Sequence, residues 1–230
     1  MMKKREIAIS DIHGCYKTFR ALVEEKVQFT KEDDLYLLDD YIDRGPDSKT
    51  VVDYILQLQN DGYSVNCLRG NHEQMLLDAL QDDNREYLFL RNGGKQTLAS
   101  YNCSFTSDLE KHPHIDFFKN LKYYIELEDY YLVHAGFDFR KPNPFLDTES
   151  MLWIRRWYNH IDYDALDGKT IIHGHTPIKE NQILSMKEEM NDTLFMDIDA
   201  GCFYYKKMCA LDLTNQKLYF QNCLDNVNYS

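Results

Sequence analysis

Three times in its N-terminal third the chain passes from a short apolar run through a charged loop into a segment with helical spacing. Glu6 to Ser10 ends in Asp11-Ile12-His13-Gly14 and is followed by Phe19, Leu22, Val23 and Val27, three and four residues apart. Leu35 to Leu38 ends in Asp39-Asp40-Tyr41-Ile42-Asp43-Arg44, ahead of an apolar stripe at Val51, Val52, Ile55 and Leu58 that Ser48 can cap. Val65 to Leu68 runs into Arg69-Gly70-Asn71-His72-Glu73, and Met75, Leu76, Ala79 and Leu80 then read as helix. This order predicts an α/β fold in which loops at strand ends gather the functional groups.

The second half is mostly β. Tyr123 to Glu126 and Tyr130 to Val133 read as a hairpin joined near Glu128-Asp129. Thr170 to Ile172, Leu194 to Ile198, Met208 to Leu213 and Leu218 to Gln221 are four further strands. Arg91 to Tyr101 and Asn143 to Asp164, with their Gly, Pro and aromatic residues, read as lid segments. No repeat, low-complexity tract or Pro/Gly/Ser linker interrupts the chain, so residues 1–230 are expected to form one domain.

With 26 Lys+Arg against 38 Asp+Glu the net charge is −12, which disfavours general attraction to nucleic acid, so an anionic substrate needs a local binding feature. No run approaches the roughly 18 apolar residues of a membrane span, and the first ten lack the apolar stretch of a secretory signal. No membrane partner and a cytoplasmic location are therefore expected. The six cysteines form no CxxC pair and read as free thiols; Cys15, nearest a polar loop, reads as a small packed residue.

Five polar clusters stand at the ends of apolar runs: Asp11-Ile12-His13, Asp40 to Arg44, Asn71-His72-Glu73, His134-Ala135-Gly136 and His173-Gly174-His175. Carboxylate, imidazole and amide oxygen together suit borderline divalent metals, and the set is too large for one ion. Either histidine of the last cluster can serve as a ligand. Glu73 reads as a first-turn helix residue favoured by the helix dipole. Two competing motifs fail. Gly168-Lys169-Thr170 has Tyr163 where a phosphate loop needs glycine, and His72-Glu73 is followed by Leu76 where a zinc-protease helix needs histidine.

Ser10-Asp11-Ile12-His13-Gly14, Asp39 to Gly45, Arg69 to Glu73, His134-Ala135-Gly136 and Gly174-His175-Thr176-Pro177 together resemble the calcineurin-like metallophosphoesterases. The likeness is to the phosphoprotein phosphatase branch, with its bacterial and phage serine/threonine phosphatases and symmetrical diadenosine tetraphosphatases. It implies a four-layer αββα sandwich with two mixed β-sheets. It also implies two divalent metal ions: Asp11, His13 and Asp40 hold one, and Asp40, Asn71, His134 and His175 the other, with Asp40 shared. A hydroxide held between them would attack phosphorus in line.

By the same resemblance His72, held by Asp43, is the general acid for the leaving oxygen. Arg44 and Asn71 contact phosphate, as does Arg155 of Trp153-Ile154-Arg155, with Arg156 as the alternative. The family spacing selects His175 as ligand and leaves His173, like Asp39, behind the ligands. Asn92-Gly93-Gly94 and Asp199-Ala200-Gly201 shape the site. Such ligation accepts Mn, Fe or Zn, with manganese expected in vitro.

The expected activity is hydrolysis of phosphate monoesters, foremost as a serine/threonine protein phosphatase acting on phosphorylated proteins, peptides or small phosphoesters. Symmetrical hydrolysis of dinucleoside tetraphosphates is one alternative. Another, from a different class, is a catalytically impaired, metal-bearing scaffold that binds phosphoproteins. It is motivated by Asp39, which stands where the family carries glycine. There Asp39 can point away, hold a water of the metal, or weaken the centre.

Overall fold

The computed structural model describes residues 4–227. All nine expected strands form, with ends displaced by no more than a residue or so: β1 Glu6–Ile9, β2 Asp34–Leu37, β3 Ser64–Cys67, β4 Tyr124–Glu126, β5 Tyr130–Val133, β6 Thr170–His173, β7 Phe195–Asp197, β8 Lys207–Asp212 and β9 Lys217–Asn222. The three helices read between the first strands are α1 Tyr16–Ala21, which continues in wider turns over Leu22–Val27, α2 Ser48–Asn60 and α3 Asn71–Ala79. Ser48 does not cap α2 but is its first residue; its hydroxyl accepts the Asp43 N–H at 3.1 Å, tying the helix to the loop before it.

Both sheets are mixed. In the first, ordered β3-β2-β1-β8-β9, the strands β1 to β3 are parallel, and β8 and β9 run antiparallel beside β1. In the second, ordered β4-β5-β6-β7, the strands β5 to β7 are parallel, and β4 returns antiparallel as the expected hairpin partner of β5.

Strand periodicity sorts the core into layers. Ile7 and Ile9 of β1, with Leu35 and Leu37 of β2, face α1 and α2, where Phe19, Leu22, Val51 and Ile55 bury them. The alternate residues Ala8, Tyr36 and Leu38 face the other way, onto Tyr130, Leu132, Ile172 and Met196 of the second sheet. That sheet's outer face carries Tyr131, Val133 and Ile171, covered by Met151, Trp157 and Leu166. The result is the expected four-layer αββα sandwich. Segment 143–164 belongs to this outer layer, with Met151, Leu152 and Trp157 buried, and so is packed structure rather than a lid. Among the described residues no helix is long and apolar enough to cross a membrane.

Candidate metal centre

The loops that leave β1, β2, β3, β5, β6 and β7 meet at one buried place, with one Asp40 oxygen at its centre. Asp40 Oδ2 stands 3.6 Å from His13 Nε2, 3.9 Å from His72 Nε2 and 4.0 Å from His134 Nε2. Asp40 Oδ1 accepts the His72 N–H at 3.1 Å. Asp11 Oδ2 accepts the His175 N–H at 2.9 Å, while its Oδ1 lies 3.9 Å from His13 Nε2. Asn71 Oδ1 is 2.9 Å from His134 Nε2, and the His134 and His175 rings lie 4.6 Å apart. Asp11, His13, Asp40, Asn71, His134 and His175 are thus gathered from five segments into one cluster.

The backbone there is unusual. Asp11, His13, Asp40, Asp43, Arg44 and His175 all have φ between 42° and 72°, a left-handed conformation that side chains ordinarily avoid. Two glycines explain their motifs by close approach: a Cβ on Gly70 would strike the Asp40 carboxylate, and one on Gly174 would strike Asp11 Oδ2. Glu73 holds the Asp40 loop. Its buried carboxylate accepts N–H groups from Gly70 and Asp40 at 3.0 and 3.1 Å, from Tyr41 at 2.9 Å and from Ile42 at 3.4 Å. This reaches well beyond the helix-end role read from sequence. The Gly70-x-x-Glu73 spacing does signal the capping half of it.

Asp39 is fully buried, and it faces a ligand-like imidazole from behind. Its Oδ1 accepts the Asp11 N–H at 2.8 Å, and its Oδ2 lies 2.6 Å from His134 Nδ1. That second approach is at ion-pair distance but off an ideal hydrogen-bond line. A carboxylate against Nδ1 turns Nε2 of the same ring toward Asn71 and Asp40. The scaffold reading thereby loses its motive, because Asp39 adds a buttress to the cluster and does not crowd its open face.

His72 and Asp43 pair as expected, Nδ1 to Oδ2 at 2.6 Å. Thr97, which no motif announced, fixes Asp43 by donating to its Oδ1 at 2.5 Å and accepting its N–H at 2.9 Å. The Arg44 guanidinium donates to His13 Nε2 at 2.6 Å and to His72 Nε2 at 2.9 Å. Arg155 is exposed at the rim and donates to Thr176 Oγ1 at 2.6 Å; its neighbour Arg156 has left-handed backbone and is also exposed. His173 turns away from the cluster, its ring nitrogens meeting the Gly174 carbonyl at 3.0 Å and the Tyr158 hydroxyl at 3.3 Å. A cavity of about 600 Å³ opens beside Arg44, lined by Tyr87, Arg91, Lys95, Phe203 and Tyr204.

A family model for calcineurin-like phosphoesterases matches residues 5–201. The chain belongs to that family. Beyond the matched residues, β8 and β9 complete the first sheet. The chain is similar to the asymmetrical bis(5'-nucleosyl)-tetraphosphatase PrpE of Anoxybacillus flavithermus, 28% identical over 88% of each chain. It is also similar to a symmetrical bis(5'-nucleosyl)-tetraphosphatase of Buchnera aphidicola, 39% identical over 35% of this chain and only 30% of the relative's length. Among solved structures, a Saccharomyces cerevisiae serine/threonine phosphatase superposes with a TM-score of 0.64 at 12% identity, covering 97% of this chain and 81% of the other. A cold-active tyrosine phosphatase of a Shewanella species gives 0.62 at 16%, covering 94% and 80%. These likenesses extend the fold across both sheets.

The donor set of the cluster fits a dinuclear centre of divalent cations. His175 Nε2 is buried without a hydrogen-bond partner among the described residues, although the ring sits among ligand-type side chains. Burial raises the pKa of Asp11, Asp39, Asp40 and Asp43, helped at Asp39 by repulsion from Asp11 and Asp40 and at Asp40 by repulsion from Glu73 and Asp11, and carries Glu73 to about 7. Burial first, then the charge of Arg155, lowers His175 to about 3. Crowded carboxylates beside neutral imidazoles form a pocket in which divalent cations balance the charge. Donor atoms fall into two groups, His13 with Asp40 and His72, and Asp11 with Asp39 and His134, each within 4.8 Å. His72 and Asp39 enter these groups by proximity alone, since each already pairs with another side chain.

Proposed function

We propose that this phosphoesterase hydrolyses phosphate monoesters of poor leaving groups, foremost phosphoserine and phosphothreonine in proteins, and that residues 1–230 act as one domain. The observation that carries the reading is the buried His72–Asp43 pair beside Arg44. An alkoxide leaving group needs a proton in the transition state, and Nε2 accepts from Arg44 here. Once Arg44 turns to phosphate and the ring takes up a proton, an imidazole fixed at Nδ1 by a carboxylate is aimed to give it.

Asp11, His13 and Asp40 would hold one cation, and Asp40, Asn71, His134 and His175 would hold the other. Two such ions, when bound, supply charge neutralisation and hydroxide at neutral pH. The proposed metal is manganese in vitro, with iron and zinc served by the same donors. The Nε2 lone pair of His13 cannot serve both Arg44 and a metal, so loading frees the guanidinium. Arg44 then grips phosphoryl oxygens, with Arg155 from the rim and Asn71 from below. Because Arg44 and His72 Nε2 are 2.9 Å apart, a phosphate held by Arg44 would bring its leaving oxygen near that nitrogen.

A second reading is hydrolysis of a dinucleoside tetraphosphate. It is supported by the cavity beside Arg44, whose Tyr87, Phe203 and Tyr204 offer stacking surfaces and whose Arg91 and Lys95 offer charge for further phosphates. With Mn²⁺ supplied, kcat/KM on a phosphoserine peptide is expected to exceed that on diadenosine tetraphosphate, and the reverse order would select the second reading. His72→Asn is expected to slow the phosphopeptide about 10²- to 10⁴-fold and p-nitrophenyl phosphate far less, because nitrophenolate leaves without a proton. Equal losses on both esters would remove His72 from the leaving-group role.

A further inference from the structure

Three of the six cysteines meet in space. Cys15, Cys202 and Cys223 come from the loop after His13-Gly14, the turn after Gly201 and the end of β9, yet their sulfur atoms all lie within 4.8 Å of one another. Cys15 and Cys202 are buried, and Cys223 is partly open to solvent.

Each strand of this junction is separately anchored. The Cys15 N–H is donated to the Ile12 carbonyl at 3.0 Å, and the Cys223 N–H to the Lys206 carbonyl at 2.8 Å. The Asp225 carboxylate accepts the Lys17 and Thr18 N–H groups at 3.1 and 3.0 Å and the Thr18 hydroxyl at 2.6 Å. Cys202 follows Gly201, whose φ of 67° turns the chain toward the cluster.

We propose that these three thiols form a separate site for a thiophilic divalent cation of the zinc class. Sulfur ligands about 2.3 Å from zinc stand about 3.8 Å apart around a tetrahedral ion, so the present spacing needs a contraction of about 1 Å at most. Cys15 and Cys202 sit in the first core layer with Cys223 packed against it, and their convergence sets three soft donors together that a thiophilic metal prefers to the oxygen and imidazole donors of the dinuclear centre. The carbonyl oxygen of Asp225, 3.5 Å from Cys223 Sγ, and the solvent-facing side of Cys223 leave room for a fourth donor. Each ligating thiol gives its proton to solvent as the ion binds. Metal here would tie the loop bearing His13 to the C-terminal end of β9.

Co²⁺ is the probe, because only sulfur ligation gives a sulfur-to-cobalt charge-transfer band in the near ultraviolet, and the dinuclear donor set contains no cysteine. The full-length protein, reduced and kept from air, is titrated with Co²⁺ alone. The expected result is this band, together with one more bound cobalt than in Cys223→Ser. Cys202→Ser also loses the band, whereas Cys103→Ser, outside the cluster, keeps it. Cobalt binding without the band in the native sequence would overturn the proposal, and this reading needs no variant to fold. A band unchanged in both Cys202→Ser and Cys223→Ser would overturn it equally.

Discussion

A carboxylate at position 39 determines which nitrogen of His134 faces the cluster. With Asp39 Oδ2 2.6 Å from Nδ1, the carboxylate backs the rear of the ring and Nε2 is the nitrogen turned toward Asn71 and the cluster. Asp39→Asn keeps an oxygen for the Asp11 N–H but removes the charge behind His134. It is expected to weaken Mn²⁺ binding about 10- to 100-fold while leaving the fold intact. Calorimetric titration of the metal-stripped protein measures this, and unchanged affinity would remove Asp39 from any supporting role. At this scale the sequence was legible where chemistry and spacing coincide. Asp40, His72 and Asp43 stand in recognisable strings, whereas Thr97 clasps Asp43 from 54 positions away with no motif around it. Asp39 was visible as an anomaly, but only folding shows that it lies behind His134.

Between residues and the whole molecule lie the joints that hold elements together, and these were the least legible. Apolar periodicity located every strand, because alternate burial is a property of one segment. The partners of a joint belong to separate segments, as the convergence of Cys15, Cys202 and Cys223 illustrates. A second joint forms where His114, in helix Pro113–Lys119, meets Tyr101 and α2. Its Nδ1 accepts the Tyr101 hydroxyl at 2.7 Å, and its Nε2 lies 3.1 Å from Asp53 Oδ1. Burial first, then the neighbouring His112, lowers its pKa to about 4. The fold therefore favours the neutral ring, and between this value and the ordinary pKa near 6.5 the unfolded chain binds more protons. The stabilisation is complete above about pH 6.5 and is lost as pH falls toward 4. His114→Gln should flatten the dependence of Tm on pH across that window. A slope as steep as in the native sequence would place the acid sensitivity elsewhere.

For the molecule as a whole, the two sheets share one inner layer, and the loops leaving both supply the metal-type donors. Asp11 and Asp40 come from the first sheet, and His134 and His175 from the second. Any ion held across that seam joins the two halves and offsets the repulsion among the buried carboxylates. An ion that binds the native state alone stabilises it by about 2.7 kcal/mol at a free concentration of 100 Kd. In a protein of this size each kcal/mol moves Tm by about 2–4 °C, so loading with Mn²⁺ should raise Tm by about 5–10 °C over the chelated protein. The gain should shrink sharply in Asp40→Asn, which changes the oxygen lying between His13, His72 and His134. It should shrink less in Asn71→Ala, whose oxygen meets His134 alone. If Asn71→Ala lost as much as Asp40→Asn, the two sheets would be joined through separate ions without a shared ligand, and Asp40 would no longer be the bridge.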